Sequence, residues 1–198
     1  MTTATLPLFP LHTVLFPGGP LALRIFEPRY LDLVRRCFKD QSGFGVTTIL
    51  EGDEGGAVTR LATTGTLARL VDFDPLPDGL LGITCLGEER FRVLRHWQQP
   101  DGLNLGEVQY LEPEAASELP AELAHLADLL REVLPKLGRG YAHVAARYED
   151  AGWVANRWAE VLPLDCADKL ALLELEAPLE RLALVADWSA RQPPAAHV

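Results

Sequence analysis

Residues 6–34 read LPLFPLHTVLFPGGPLALRIFEPRYLDLV. Pro7, Pro10, Pro17 and Pro20 come before the first helical pattern, and each removes an amide donor and fixes φ. The connections are therefore stiff, and these segments are expected at sheet edges instead of mid-sheet. Leu21, Leu23 and Ile25 alternate with Ala22, Arg24 and Phe26, which predicts a strand. The period then changes. In EPRYLDLVRRCFKD, Pro28 suits a first helical turn, and Tyr30, Leu33, Val34 and Cys37 recur on one helical face. Large apolar groups dominate the stretch and hydroxyl, thiol and basic groups are scarce, which suits the scaffold of a binding surface better than a reaction centre.

Beyond this helix the pattern is extended. FGVTTIL is β-branched, EGDEGG is a turn cluster, and TGTLARLVDFD and LLGITCLGEERFRVLRHW are strand-like on either side of PLPDG, whose Asp78 and Gly79 signal a hairpin. LNLGEVQYLEP adds one more alternating run, giving roughly six strands around one short helix. After Pro113 the period becomes helical. Leu119, Leu123, Leu126, Leu130, Val133, Leu134 and Leu137 form an amphipathic stripe ended by GRG. Asp150 is placed to cap a helix carrying Trp153, Val154, Trp158 and Val161, Asp165 to cap the next with Asp168 in its first turn, and Pro178 to open the last. The expected fold class is α+β, with a β-rich part over 1–115, a helical bundle over 116–188 and a flexible tail over 189–198.

Composition narrows the function classes. The 198 residues are 48% hydrophobic and 23% charged, values of an ordinary globular protein large enough to bury a core. A net charge of -10, with carboxylates spread from Glu27 to Asp187, repels phosphates and argues against a nucleic-acid partner. No apolar run is long enough for a membrane span, and MTTATLPLFP lacks the basic start and apolar middle of a signal peptide. Cys37, Cys85 and Cys166 are an odd and scattered set, read as thiols in a cytoplasmic protein.

Motifs for chemistry are sparse. Ser42 and Lys39 allow a Ser-Lys pair to be imagined, yet DQSGFG reads more simply as a helix exit with Gly43 in a left-handed conformation. Cys37 or Cys85 with His12 or His96 would make a Cys-His pair only if the fold brought them together. The histidines form no HExxH, and no phosphate-loop GxxxxGK[ST] occurs, so no cofactor or metal is expected. DFDPLPDG has three aspartates but fails as a calcium loop: Pro77 stands where the sharp turn wants glycine, and Ile83 where a bidentate glutamate belongs.

The order of strands, inserted helix and helical bundle resembles the N-terminal substrate-recognition domain of the Lon protease family, also found in small standalone bacterial proteins. The resemblance rests on LPLFPLHTVLFPGGPLALRIFEPRYLDLV, TGTLARLVDF, DG…GITCLGEERFRV and LPLDCADKLALLELEAPLERLALV, covering Leu6 to about Trp188. It implies a PUA-like β pseudobarrel followed by a helical bundle. It also implies a module that engages unfolded or degradation-tagged polypeptides and associates with a Lon-type ATPase or protease. Neither the nucleotide-binding nor the Ser-Lys peptidase part of Lon is represented in the sequence.

The functional expectation is a non-enzymatic module that binds unfolded or hydrophobic polypeptide segments, as an adaptor to Lon-type proteolysis, with self-association left open. PUA-like barrels include RNA binders, so an RNA-binding module is the alternative, and a cryptic hydrolase is a third possibility. Phe9, Leu11, Leu15 and Phe16 are read first as barrel core, because large apolar residues are usually inside. The functional reading leaves part of the stretch exposed, and its candidate polypeptide-binding residues are Phe9, Leu11, Phe16, Phe26, Arg29 and Tyr30. Arg29, at the start of the inserted helix, is either a partner contact or one half of an ion pair with Glu27 or Asp32. Glu180 and Arg181 either face outward or tie their helix to the barrel. Edge-strand addition is a second mode of peptide capture.

Overall fold

The computed structural model describes residues 3–54 and 58–191. Six strands form one sheet: β1 (Thr3–Leu11), β2 (Pro20–Ile25), β3 (Gly43–Gly52), β4 (Val58–Pro75), β5 (Leu81–Gln98) and β6 (Asn104–Tyr110). Helix α1 (Pro28–Asp40) is inserted between β2 and β3, and α2 (Ala124–Val133), α3 (Ala151–Val161), α4 (Cys166–Glu174) and α5 (Pro178–Arg191) follow the last strand. The strand order is β2-β5-β4-β3-β1-β6, and a further pairing of β5 with β6 closes five of the strands into a barrel.

β5 decides this geometry. Its first part, Leu81–Leu86, pairs with β2, and its later part, Phe91–Gln98, pairs on the same edge with β6. Between them lies Gly87, pinned to the proline-glycine loop by Gly18 N donating to Gly87 O at 2.7 Å and Gly87 N donating to Gly19 O at 2.9 Å. A side chain at Gly87 would stand 2.3 Å from the Phe16 carbonyl oxygen, so the close approach requires glycine.

The prolines do not hold β1 at an edge. β1 pairs with β6 through Thr3–Leu8 and with β3 through Leu8–Leu11, so it lies inside the sheet. The two ladders barely overlap, and this accommodates the missing donors: Pro7 has a partner only in β6 and Pro10 only in β3. β2, which Pro20 opens, is a true edge, bonded to β5 alone.

α1 starts at Pro28 and buries Tyr30, Leu33, Val34 and Cys37 against the barrel, each such side chain contributing about 1.5–3 kcal/mol. Phe9 stacks on Tyr30 with ring centroids 3.9 Å apart. The helix ends with Gln41 in the left-handed region at φ 51, and Gly43 instead begins β3, where a Cβ would meet the Ala68 carbonyl at 2.6 Å. The left-handed residue therefore comes two positions earlier than the glycine suggested, a site an amide side chain tolerates.

The helical part is less regular than its leucine stripe. Pro120 and Pro135 confine α2 to Ala124–Val133, flanked by 3₁₀ turns at Ala121–Leu123 and Leu134–Lys136, and a third such turn covers Arg139–His143. Leu126, Leu130 and Leu134 are buried, whereas Leu137 is exposed. Asp150 caps α3 by accepting from Gly152 N and Trp153 N, and Asp165 caps α4 by accepting from Asp168 N. α5 runs to Arg191, so the first part of the segment expected to be loose is helical, and 192–198 lie outside the described residues.

Barrel and bundle share their cores. Val14 and Phe16, from the loop after β1, pack with Trp153, Trp158, Leu182 and Val185 of the helices. A buried ionic cluster adds a second tie: Glu114 accepts from both Arg90 and Arg181, whose side chains are 6% and 1% exposed. Arg90 also donates to the Leu173 and Leu175 carbonyls, and Arg181 to the Leu172 carbonyl and Asn156 Oδ1. Arg181 thus ties its helix to the strand side, while its neighbour Glu180 is exposed.

Candidate polypeptide-binding surface

Burial separates the six candidate residues. Phe9, Leu11, Phe16 and Tyr30 are at most 6% exposed, sealed into the two cores, and so present no contact surface. The reason is geometric: β1 is covered on its inner face by α1, and the loop after it plunges into the bundle. Arg29 ion-pairs with Glu27 at 2.7 Å, donates to the Gly102 carbonyl at 2.8 Å and lies over the Tyr30 ring, which fastens the start of α1 to the β5–β6 turn. Asp32 pairs with Arg35 instead. Phe26 alone stands out into solvent, 63% exposed at the end of β2.

Other apolar side chains join it on the surface. Phe38 and Phe73 are 64% and 56% exposed and meet edge to face with centroids 5.9 Å apart. Phe38 lies near the C-terminal end of α1, and Phe73 pairs with buried Ile83 of β5 and so shares the face that α1 covers, where the two rings form an exposed rim. Phe73 also borders a groove of about 550 Å³ lined by residues of β2, β5 and β4 and by the segment Leu137–Tyr141. Ala22 and Leu23 of the edge strand, Leu76 of the β4–β5 turn and exposed Leu137 supply the rest of its apolar lining. Two chemistries therefore adjoin: a greasy groove, and an edge strand whose outward amides and carbonyls have no strand beside them.

The charges at this surface are paired with one another. Arg24 bonds Asp78 of the β4–β5 turn, Arg139 reaches Asp74 at 3.5 Å, and His143 reaches Asp72 at 3.5 Å. Exposed pairs of this kind contribute at most about 1 kcal/mol each and leave the groove free of a dominant sign. The Asp72–Asp78 segment is the hairpin its Asp-Gly pair predicts, with Gly79 at φ 82.

Among the described residues no serine hydroxyl or cysteine thiol bonds a histidine or lysine side chain. Cys37 Sγ donates to the Gly43 carbonyl and Cys166 Sγ to the His12 carbonyl, and all three thiols are free. Burial pushes the Cys85 thiol up to about 12 and the Cys37 thiol also upward, so both are held neutral near pH 7. No helix is long and apolar enough to cross a membrane, and no three metal-ligating side chains cluster, among the described residues.

Phe38, Phe73 and Leu76 were not singled out by the sequence, and Leu137 was read as part of the amphipathic leucine stripe. Phe38 continues the i, i+3, i+4, i+7, i+8 pattern begun by Tyr30, Leu33, Val34 and Cys37, so its phase gave no signal of exposure. For Phe73 the signal was the flanking Asp72 and Asp74, which mark a strand segment solvated on both sides.

Among the described residues, a five-stranded barrel is joined to a helical bundle, with a groove beside the open edge of β2. The chain belongs to the family described as the ATP-dependent protease La (LON) substrate-binding domain, whose model matches residues 5–191. Lon protease 2 of Myxococcus xanthus is 29% identical over 189 residues, which are 91% of this chain and 23% of that protein. Lon protease 2 of Herpetosiphon aurantiacus is 31% identical over 194 residues, 93% of this chain and 24% of that protein. The chain thus spans about a quarter of the length of these relatives, and the match is to the substrate-binding domain and not to the peptidase domain. The crystal structure of a Lon N-terminal domain protein from Xanthomonas campestris has a TM-score of 0.76 at 41% identity, covering 93% of this chain and 98% of that one. The N-terminal domain of the Mycobacterium avium complex Lon protease shares the fold at TM-score 0.65 and 19% identity. The Lon resemblance and the α+β class expected from the sequence are both borne out.

Proposed function

We propose that this protein is a non-catalytic recognition module that holds unfolded or hydrophobic polypeptide segments on the groove beside β2 and passes them to Lon-type proteolysis. The observation that carries the reading is the exposed ring pair Phe38 and Phe73 together with the groove that Phe73 and Leu137 border beside the open edge of β2. An extended chain lying there buries alternate side chains in the groove at about 25 cal/mol per Å² before ordering costs. Its backbone adds to β2, which gives affinity without sequence selectivity. Phe26, at the end of the same strand, extends the surface in line with the bound chain. Membership of a substrate-binding family supports the polypeptide as ligand.

The RNA-binding alternative has less support. The groove carries paired charges and no basic stripe, and the net charge is -10. Fluorescence anisotropy with a labelled, permanently unfolded apolar peptide tests the proposal. Saturable binding that Phe38→Ser with Phe73→Ser weakens about tenfold is expected. Absence of binding at high micromolar protein, or unaltered affinity in the double variant, would sink it.

A further inference from the structure

Every residue from Leu137 to Tyr148 lines one of three cavities. The segment shares the groove of about 550 Å³ with β2, β4 and β5, and a pocket of about 350 Å³ with Leu134, Pro135 and Trp153. His143, Ala145 and Arg147 border a further cleft of about 510 Å³. None of residues 137–148 is buried, and Tyr141, Val144 and Tyr148 are only partly covered where they meet the bundle core. A segment bordered by voids forfeits the dispersion contacts that fix its neighbours.

Its backbone is as loosely attached. Among the described residues its hydrogen bonds are local: Tyr141 N donates to the Gly138 carbonyl at 3.3 Å and Val144 N to the Tyr141 carbonyl at 3.2 Å, and none reaches a strand or an α-helix. Three side-chain ties hold the middle of the segment down. Arg139 reaches Asp74 and His143 reaches Asp72, exposed pairs at 3.5 Å that stabilise little. Tyr141 donates its hydroxyl to Glu160 Oε2 at 3.1 Å, a carboxylate that Arg157 already engages. The two ends differ. Gly138 sits at φ 103 with open space where a Cβ would stand, the freedom a hinge needs, whereas Tyr148 is fixed edge to face on Trp153. The closed segment shuts one end of the groove, since a Cβ on Gly140 would stand 3.1 Å from Pro20 Cβ and 3.9 Å from Thr84 Cγ2.

We infer that residues 138–147 form a hinged strap that swings off the barrel face while barrel and bundle keep their folds, and that its closed position limits entry to the groove beside β2. The motion follows from how the strap is packed, and its effect on a ligand rests on the polypeptide reading of that groove. The test is a reversible lock. Pro20→Cys with Gly140→Cys, made with Cys166→Ser so that no exposed native thiol competes, places two Cβ atoms near the roughly 3.5–4.5 Å that a disulfide spans. Backbone ¹⁵N relaxation is compared in the reduced and oxidised forms. Reduced, residues 138–147 are expected to show order parameters below about 0.6, or microsecond-to-millisecond exchange shared across the segment, and oxidised, the rigid value of about 0.85. Anisotropy with the apolar peptide is expected to show binding about tenfold weaker in the oxidised form and recovered on reduction. A reduced strap as rigid as α3, or equal measurable affinity in the two forms, overturns the inference. A mobile strap with no peptide binding in either form tells against the groove reading and supports the motion. Tyr141→Phe decides the matter if the cysteine pair disturbs β2. It removes one closing bond and is expected to loosen the strap and tighten peptide binding several-fold, and unaltered relaxation overturns the inference.

Discussion

Glu114 holds two buried guanidinium groups at once, and among the described residues neither Arg90 nor Arg181 has another carboxylate within ion-pair distance. Burial pushes the Arg90 pKa down, and Glu114 opposes that shift by stabilising the charged form. Removing the carboxylate leaves uncompensated charge in the interior, whereas removing a surface partner does little. Glu114→Gln is therefore expected to lower stability by about 3 kcal/mol or more, measured as a lower urea midpoint at unchanged slope. Arg24→Ala, which breaks an exposed pair, is expected to change it by less than about 1 kcal/mol. A second expectation concerns the thiols. Cys85 is raised to about 12 by burial, so below that pH its reactive thiolate is scarce, while exposed Cys166 is accessible. Iodoacetamide at about pH 8 is expected to modify Cys166 in the native protein and Cys37 and Cys85 only after unfolding. Prompt native labelling of Cys85 would show that the barrel opens readily.

Elements read from the sequence succeeded where one local signal agreed with tertiary packing. Helix α1 had Pro28 at its start and an apolar stripe, and Asp150 and Asp165 marked the starts of two further helices by capping chemistry. The sequence misled where a signal depends on what lies alongside. A proline marks a missing donor, but whether that makes an edge depends on both neighbours, and β1 solves the problem by changing partner at Leu8. Exposure in the 6–34 stretch was equally hidden: Phe9 and Phe26 belong to the same apolar run, yet one meets α1 and the other meets solvent. The apolar groove joins residues from β2, β4, β5 and the 137–141 segment, a juxtaposition that no local window contains. Gly87 is the junction of these elements, and its neighbour is backbone that cannot yield. Gly87→Ala is expected to destabilise the chain by about 1–3 kcal/mol through overpacking against the Phe16 carbonyl, read as a lower melting temperature.

At the scale of the molecule, the force used by the proposed groove beside β2 sets its response to salt. A site that works by removing apolar surface from water is screened little by ordinary salt. Raising salt from about 0.1 to 1 M, which shrinks the Debye length from about 10 Å to about 3 Å, is accordingly expected to leave apolar-peptide affinity within about twofold in the anisotropy titration. A homopolymeric RNA supplies the control, because the acidic surface predicts no retention of it even at about 0.05 M salt. RNA binding with a steep inverse dependence on salt would show that phosphate neutralisation governs this fold's recognition.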